Sequence, residues 1–220
     1  MSDSIHYEYA PISNREAGLL ARYHGHKDVD SFAGEIPEAA EVLDVGAGYS
    51  TLGREVAVLR PDIRWLNVDL HYVKTIAQPK NMPDNLEHLP ANVLALQESL
   101  GSRQFDRVLS YWLIPHVTLA SRELGITAVR NMLEVAKPQG KISIGPTTGL
   151  RNFGLSVLHH KGTVTVDKPK SEQEMTEVAA NIVEATKLGR FWGWMNRQAN
   201  EASARHARET GAPRPAIIFD

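Results

Sequence analysis

Residues 42–51 read Val42-Leu43-Asp44-Val45-Gly46-Ala47-Gly48-Tyr49-Ser50-Thr51. Apolar Val42, Leu43 and Val45 suit a strand buried on both faces of a parallel sheet. Gly46 and Gly48 let the backbone turn tightly from that strand into a helix. Such a turn aims backbone N–H groups and a helix dipole at whatever binds above it. Asp44 lies two residues before the first glycine. An acid there suits a cationic ligand group and is less expected beneath a pyrophosphate.

Outward from this turn, strands alternate with helices. Ser13-Asn14-Arg15-Glu16 is a capping-box pattern that opens a helix through about Tyr23. Residues 25–37 read as a connection and 41–45 as the first strand. Leu52, Val56 and Leu59 recur at helical spacing, and Pro61 ends that helix. A second strand over 63–70 carries Asp69 near its end. Residues 71–83, with breakers Pro79 and Pro83, read as loop with room for a helix. A third strand spans 86–89, a short helix 92–100, and a fourth strand and its exit 105–113. Ile126, Val129, Met132, Leu133 and Ala136 form one apolar stripe. Lys137-Pro138-Gln139-Gly140 reads as a turn before a fifth strand over 141–145.

Further on, 163–166 suits a strand, 171–188 and 191–210 suit helices, and 215–219 a final short strand. The pattern predicts an α/β fold: a Rossmann-like doubly wound sheet, mostly parallel with an antiparallel last strand, plus a helical C-terminal insertion. The expected divisions are an N-terminal helical cap over 1–40, a core over 41–170, a helical insertion or lid over 171–213, and the last core strand over 214–220.

Composition narrows the function. The 220 residues are 42% hydrophobic and 23% charged, with a formal charge of −2. Lys and Arg are spread along the chain, which leaves no electrostatic footprint for bulk nucleic acid binding. Without cysteine, disulfides, thiolate zinc sites and thiol nucleophiles are excluded. No run approaches 18 apolar residues, and the first residues lack a basic stretch followed by an apolar one. Neither a membrane span nor a secretory signal is expected, and a cytoplasmic location is the default.

From about Glu41 to Gly145 the motifs and their order resemble class I S-adenosylmethionine (SAM) dependent methyltransferases of the small-molecule type. The first motif is the 44–48 run, with Ser50 where the family has a third glycine. Phe105-Asp106-Arg107-Val108-Leu109-Ser110, followed by Trp112, Leu113, Ile114, Pro115, His116 and Val117, resembles the family's fourth strand and exit. Residues 133–141, Leu-Glu-Val-Ala-Lys-Pro-Gln-Gly-Lys, resemble the segment before the fifth strand, with Gln139 in place of a glycine. The resemblance implies SAM as cofactor, held at Asp44, Gly46, Ala47 and Gly48. It also implies that Asp69 accepts hydrogen bonds from the ribose hydroxyls and that Leu70 packs on the adenine. Asn92 and the Val93 N–H would face the adenine edge, with Ser110 and Trp112 as further contacts.

The implied reaction is in-line displacement at the sulfonium methyl by an oxygen or nitrogen of a small molecule, such as a natural-product intermediate. An acceptor that must lose a proton suits a histidine base near neutral pH. His116 is the first candidate, in the exit of the fourth strand. His159 and His160 follow the fifth strand, and as neighbours they point apart. No metal site is expected. Trp192, Trp194, Phe191 and Met195 are read mainly as packing, with stacking on a flat or cationic substrate as the functional option. Tyr7 and Tyr9 are candidates to close over the cofactor.

The Asp/Asn-Pro-Pro-Tyr/Phe loop of nucleobase amino-methylating enzymes is absent, which argues against nucleic acid substrates; a homodimer stays open. Two other classes remain. One is a SAM-binding scaffold, or an enzyme of SAM-assisted cyclisation or elimination. The other is a nicotinamide oxidoreductase, against which Thr51 stands where a dinucleotide loop needs its third glycine.

Overall fold

A computed structural model describes residues 17–48, 51–70, 82–111, 113–145, 158–160 and 163–186. The described residues belong to one compact unit that continues to Thr186. Their order is α1 (Ala17–Tyr23), α2 (Val29–Gly34), β1 (Glu41–Val45), α3 (Leu52–Leu59), β2 (Arg64–Asp69), β3 (Leu86–Pro90), a 3-10 turn (Val93–Ala95), α4 (Leu96–Leu100), β4 (Phe105–Tyr111), α5 (Leu113–Ala120), α6 (Arg122–Glu134), β5 (Ala136–Gly145), β6 (Leu158–His160), β7 (Thr163–Asp167) and α7 (Glu172–Thr186).

The strands form one seven-stranded sheet in the order β3-β2-β1-β4-β5-β7-β6. The first five are parallel to one another, and β7 runs antiparallel to both β5 and β6. The fold is therefore a doubly wound, Rossmann-like α/β fold, mostly parallel. Its antiparallel strand is β7, with α7 after it. The strand expected at 214–220 lies outside the described residues, as do the start of the first helix, most of 71–83 and the helix expected over 191–210.

Alternating residues of each strand feed two cores. On one face Val42, Trp65, Leu109 and Tyr111 pack against α1, α2 and α3. On the other, Leu43, Val45, Leu66, Val68 and Val108 pack against α4, α6 and α7. α6 begins at Ser121, whose hydroxyl accepts from the N–H groups of Glu123 and Leu124. It buries Gly125, Ala128, Val129, Met132 and Leu133, a stripe at helical spacing. α7 buries Val178, Ala179, Ile182 and Val183 in the same cluster. This part of the segment read as an insertion or lid is thus a layer of the core, and the boundary read at 170/171 does not fall there.

Three other readings need correction. The 25–37 connection holds α2, a six-residue helix started by a capping box between Asp28 and Ser31. The exit of β4 is helix α5, with Pro115 in its first turn, where a missing N–H costs nothing. The expected turn at 137–140 belongs to β5, which begins at Ala136. The register between β4 and β5 shifts there, as at a β-bulge.

Candidate functional site

The chain lays β1, β2 and β3 towards one edge and then returns to place β4 on the other side of β1. In open α/β sheets a ligand crevice lies beyond the carboxyl ends of the strands at such a reversal. Here it falls between the ends of β1 and β4, where residues 46–48 follow β1 and α5 follows β4.

The turn is built by two glycines in the left-handed region, Gly46 at φ +73° and Gly48 at φ +52°. The N–H groups of Gly46 and Ala47 donate to the Val68 carbonyl at 2.8 and 3.2 Å. Gly48 N–H donates to Asp69 Oδ2 at 3.0 Å. The turn is therefore fastened to β2, and its three N–H groups do not project free as the sequence suggested. A Cβ added to Gly46 would come 2.8 Å from the Leu113 Cβ, so the first residue of α5 rests directly on the turn. α3 starts beyond it, and Thr51 Oγ1 accepts the Ala17 N–H at 3.2 Å, bringing α1 to the same place.

Strand alternation sorts the polar side chains. Asp44 follows Val42 on the α1–α3 face, and Asn67 and Asp69 follow Trp65 on that face. Asp44 is buried at 7% exposure, Asp69 is half-buried, and Asn67 is opposite Asp44 in the ladder. Two carboxylates thus share one face near the ends of β1 and β2, and an exposed apolar residue, Leu70 at 61%, directly follows β2. Such a face favours a cationic ligand with a hydroxyl-bearing and an apolar part over a pyrophosphate.

The other expected site residues divide. Asn92 lies two residues past β3, whose exit is tied to the site by the Ala91 N–H donating to the Asp69 carbonyl. Its Oδ1 caps the following 3-10 turn by accepting the Leu94 N–H at 3.0 Å, a use that competes with the adenine contact expected of it. The Val93 side chain is buried in the core. Ser110 is fully buried on the face opposite Asp44 and Asp69, and its hydroxyl has no hydrogen-bond partner. The structure therefore does not bring that hydroxyl to the acidic pair. Trp112, Tyr49 and Ser50 lie outside the described residues, as do Tyr7, Tyr9 and the 191–195 cluster.

His116 sits in α5 and not in a loop, one turn after Leu113 and on the same side of the helix, half-buried. His159 and His160 are in β6, paired with Val164 and Thr163. β6 stands four strand spacings from β1, roughly 19 Å at the usual separation, so the structure does not bring them to the crevice. Among the described residues no three His, Cys, Asp or Glu side chains are grouped to hold a metal ion, and no helix is long and apolar enough to cross a membrane.

Sequence reasoning missed Asn67 and the aromatic support of α1. Tyr23 stacks on Tyr111 with centroids 4.6 Å apart, and Thr163 Oγ1 donates to the Tyr23 carbonyl at 2.5 Å. Asn67 had a readable signal, since Trp65, Asn67 and Asp69 alternate onto one face of an otherwise apolar strand.

No protein-family model matches the chain, and no curated protein does. The solved structures it resembles include methyltransferases. One is PKMT2 from Rickettsia typhi in complex with AdoHcy, 26% identical over 50% of this chain and 21% of that one, with TM-score 0.40. Another is an O-methyltransferase family protein from Burkholderia thailandensis, at 17%, 60% and 39%, with TM-score 0.46. A third is a mutant of the 16S rRNA (adenine(1408)-N(1))-methyltransferase from Catenulisporales acidiphilia, at 20%, 53% and 61%, with TM-score 0.38. The chain spans from about a fifth to three fifths of these three chains.

Proposed function

We propose that this chain is a SAM-dependent methyltransferase that methylates an oxygen or nitrogen of a small molecule. The observation that carries the reading is the acidic pair on one face at the point where strand order reverses, with Asp69 joined to the Gly48 N–H. Asp69 keeps acceptor capacity after that bond, because a carboxylate has about four lone-pair sites. It would take the two ribose hydroxyls. Asp44 would face the amino group of the methionine part, and exposed Leu70 would lie against the adenine. When bound, SAM supplies a methyl group on a positively charged sulfur, and the sulfur leaves as a neutral thioether.

The protein's own part is alignment, exclusion of water and removal of a proton. His116, one turn into the helix that rests on the turn, is the candidate to accept the acceptor's proton. With the 46–48 N–H groups engaged inside the protein, a nicotinamide dinucleotide finds little to hold its phosphates. A small-molecule acceptor is favoured by the absence of a basic face in the sequence; the amino-methylating loop motif is also missing.

Calorimetric titration tests this directly. SAM and S-adenosylhomocysteine should bind and NAD should not. Asp69→Ala should weaken SAM by about 1.5–3 kcal/mol, the usual range for hydrogen bonds to a charged group. Binding of NAD in place of SAM, or unchanged affinity in Asp69→Ala, would overturn the assignment. With SAM and candidate acceptors, product formed without S-adenosylhomocysteine would point instead to a SAM-assisted cyclisation or elimination.

A further inference from the structure

Arg107 is a buried cation without a counter-ion among the described residues. It alternates with Leu109 and Tyr111 in β4 and stands beside Val42 across the ladder, so its side chain enters the layer under α1 and α2. The residue is 8% exposed. Its Nε is sealed from solvent and has no hydrogen-bond partner. The arginine ion pairs of the described residues use Arg60, Arg64, Arg103, Arg122 and Arg130 and leave Arg107 out. Burial lowers its pKa, and the charge of Glu35 opposes this only in part. The Glu35 side chain is 65% exposed, with Oε1 3.4 Å from His26 Nδ1, so its carboxylate is turned to water and to His26. His24, whose pKa is lowered by burial and then by the Arg107 charge, keeps its Nδ1 without a partner, so the two nitrogens do not satisfy each other. On the other side of β4, Lys141 of β5 pairs with Arg107 in the ladder and is exposed. The two cations are about 4.8 Å apart by backbone spacing. Asp167 of β7, the further neighbour of Lys141, is exposed and makes no ion pair with it. Like charges side by side on adjacent strands repel, and a buried charge without a partner is costly to keep. One anion seated against the pair relieves both costs.

We propose that Arg107, with Lys141 at its rim, binds the carboxylate of a small organic acid. The guanidinium fork matches the two oxygens of a carboxylate. The layer that Arg107 enters is apolar, with Phe32, Leu109 and Tyr111 in it. It suits a singly charged group on an apolar body, whereas a doubly charged phosphate costs more to strip of water. Arg107 lies four residues before the carboxyl end of β4, about 13 Å along the strand. The site is therefore apart from the crevice, and it does not rest on the SAM reading.

The experiment follows the Arg107 Nε–H by ¹H–¹⁵N NMR in the whole chain as acetate, benzoate or phosphate is added, with chloride holding the ionic strength constant. Arg107→Lys, which keeps the charge and loses the fork, assigns the peak. Acetate and benzoate should shift it to saturation, benzoate at the lower concentration, and phosphate should not. By calorimetry Arg107→Lys should bind benzoate about tenfold more weakly, and Lys141→Gln about threefold more weakly. Without ligand, Arg107→Met should melt no lower than the wild type, because it removes an unpaired charge, and benzoate should raise the melting temperature of the wild type alone. A lower melting temperature of Arg107→Met, or its failure to fold, would mean that the chain itself pairs the guanidinium, and would overturn the proposal. A shift that never saturates, an equal response to phosphate, or equal benzoate affinity in Arg107→Lys would do the same. SAM binding is read separately and decides nothing here.

Discussion

Gly46 and Gly48 both adopt positive φ, yet they carry different constraints. At Gly48 the nearest atom to an added Cβ is Asp69 Oδ2 at 3.9 Å, ordinary contact, so alanine meets only the left-handed backbone cost of about 1–2 kcal/mol. At Gly46 the same backbone cost is joined by the 2.8 Å approach to Leu113 Cβ. Gly46→Ala should therefore lose more than Gly48→Ala, by about 1–3 kcal/mol for the forced overlap. Urea midpoints of the two variants compare them, and equal losses would mean that α5 yields freely. His116 is the other residue to test. If it takes the acceptor's proton, His116→Ala should lower kcat about 10²-fold with SAM affinity unchanged; a near-normal rate would leave it a packing residue of α5.

At the scale of elements, α6 depends on its start. Ser121 Oγ accepts two backbone N–H groups of the first turn. Ser121→Ala should cost about 1 kcal/mol of unfolding free energy, seen in denaturant melts, whereas Ser121→Asp should restore most of it. α6 was legible because its stripe is long and periodic, and so were β1, β2, β4 and α7. α2 was not, because six residues give too little periodicity and its Asp28–Ser31 box looks like loop chemistry. α5 hid behind Pro115, which reads as a breaker although it sits in the first turn. The 137–140 stretch contains Pro and Gly, and it counts with the strand only because Ala136 and Lys141 on either side of it pair with β4. β6 has three residues and no signal of its own; pairing with β7 creates it. At the site, the turn and Asp69 could be read from residue type and spacing. The face to which Ser110 points, and the strand that takes His159 and His160, depend on long-range pairing.

The whole molecule carries an acid sensitivity that belongs to neither ligand nor site. His24 lies against Phe32 and Tyr111, with a buried Nδ1. Burial, with the Arg107 charge and then His26 beside it, lowers its pKa to about 3. Unfolded, the ring binds its proton near pH 6.5. Between these values the unfolded chain holds one more proton than the folded one. His24 therefore leaves stability intact above about pH 6.5 and erodes it as pH falls towards 3, by up to about 1.4 kcal/mol per pH unit. Denaturant melts at pH 6.5, 5.5 and 4.5 should show this slope, and His24→Leu should flatten it; an identical slope in the variant would place the effect elsewhere.

The contact between Leu113 and Gly46 has a mechanical consequence at the same scale. A displacement of the helix that carries His116 pushes on the bend carrying the Gly48–Asp69 bond, with no slack between them. On the proposed reading, the grip on the methyl donor and the group that would take the recipient's proton hang from this one joint.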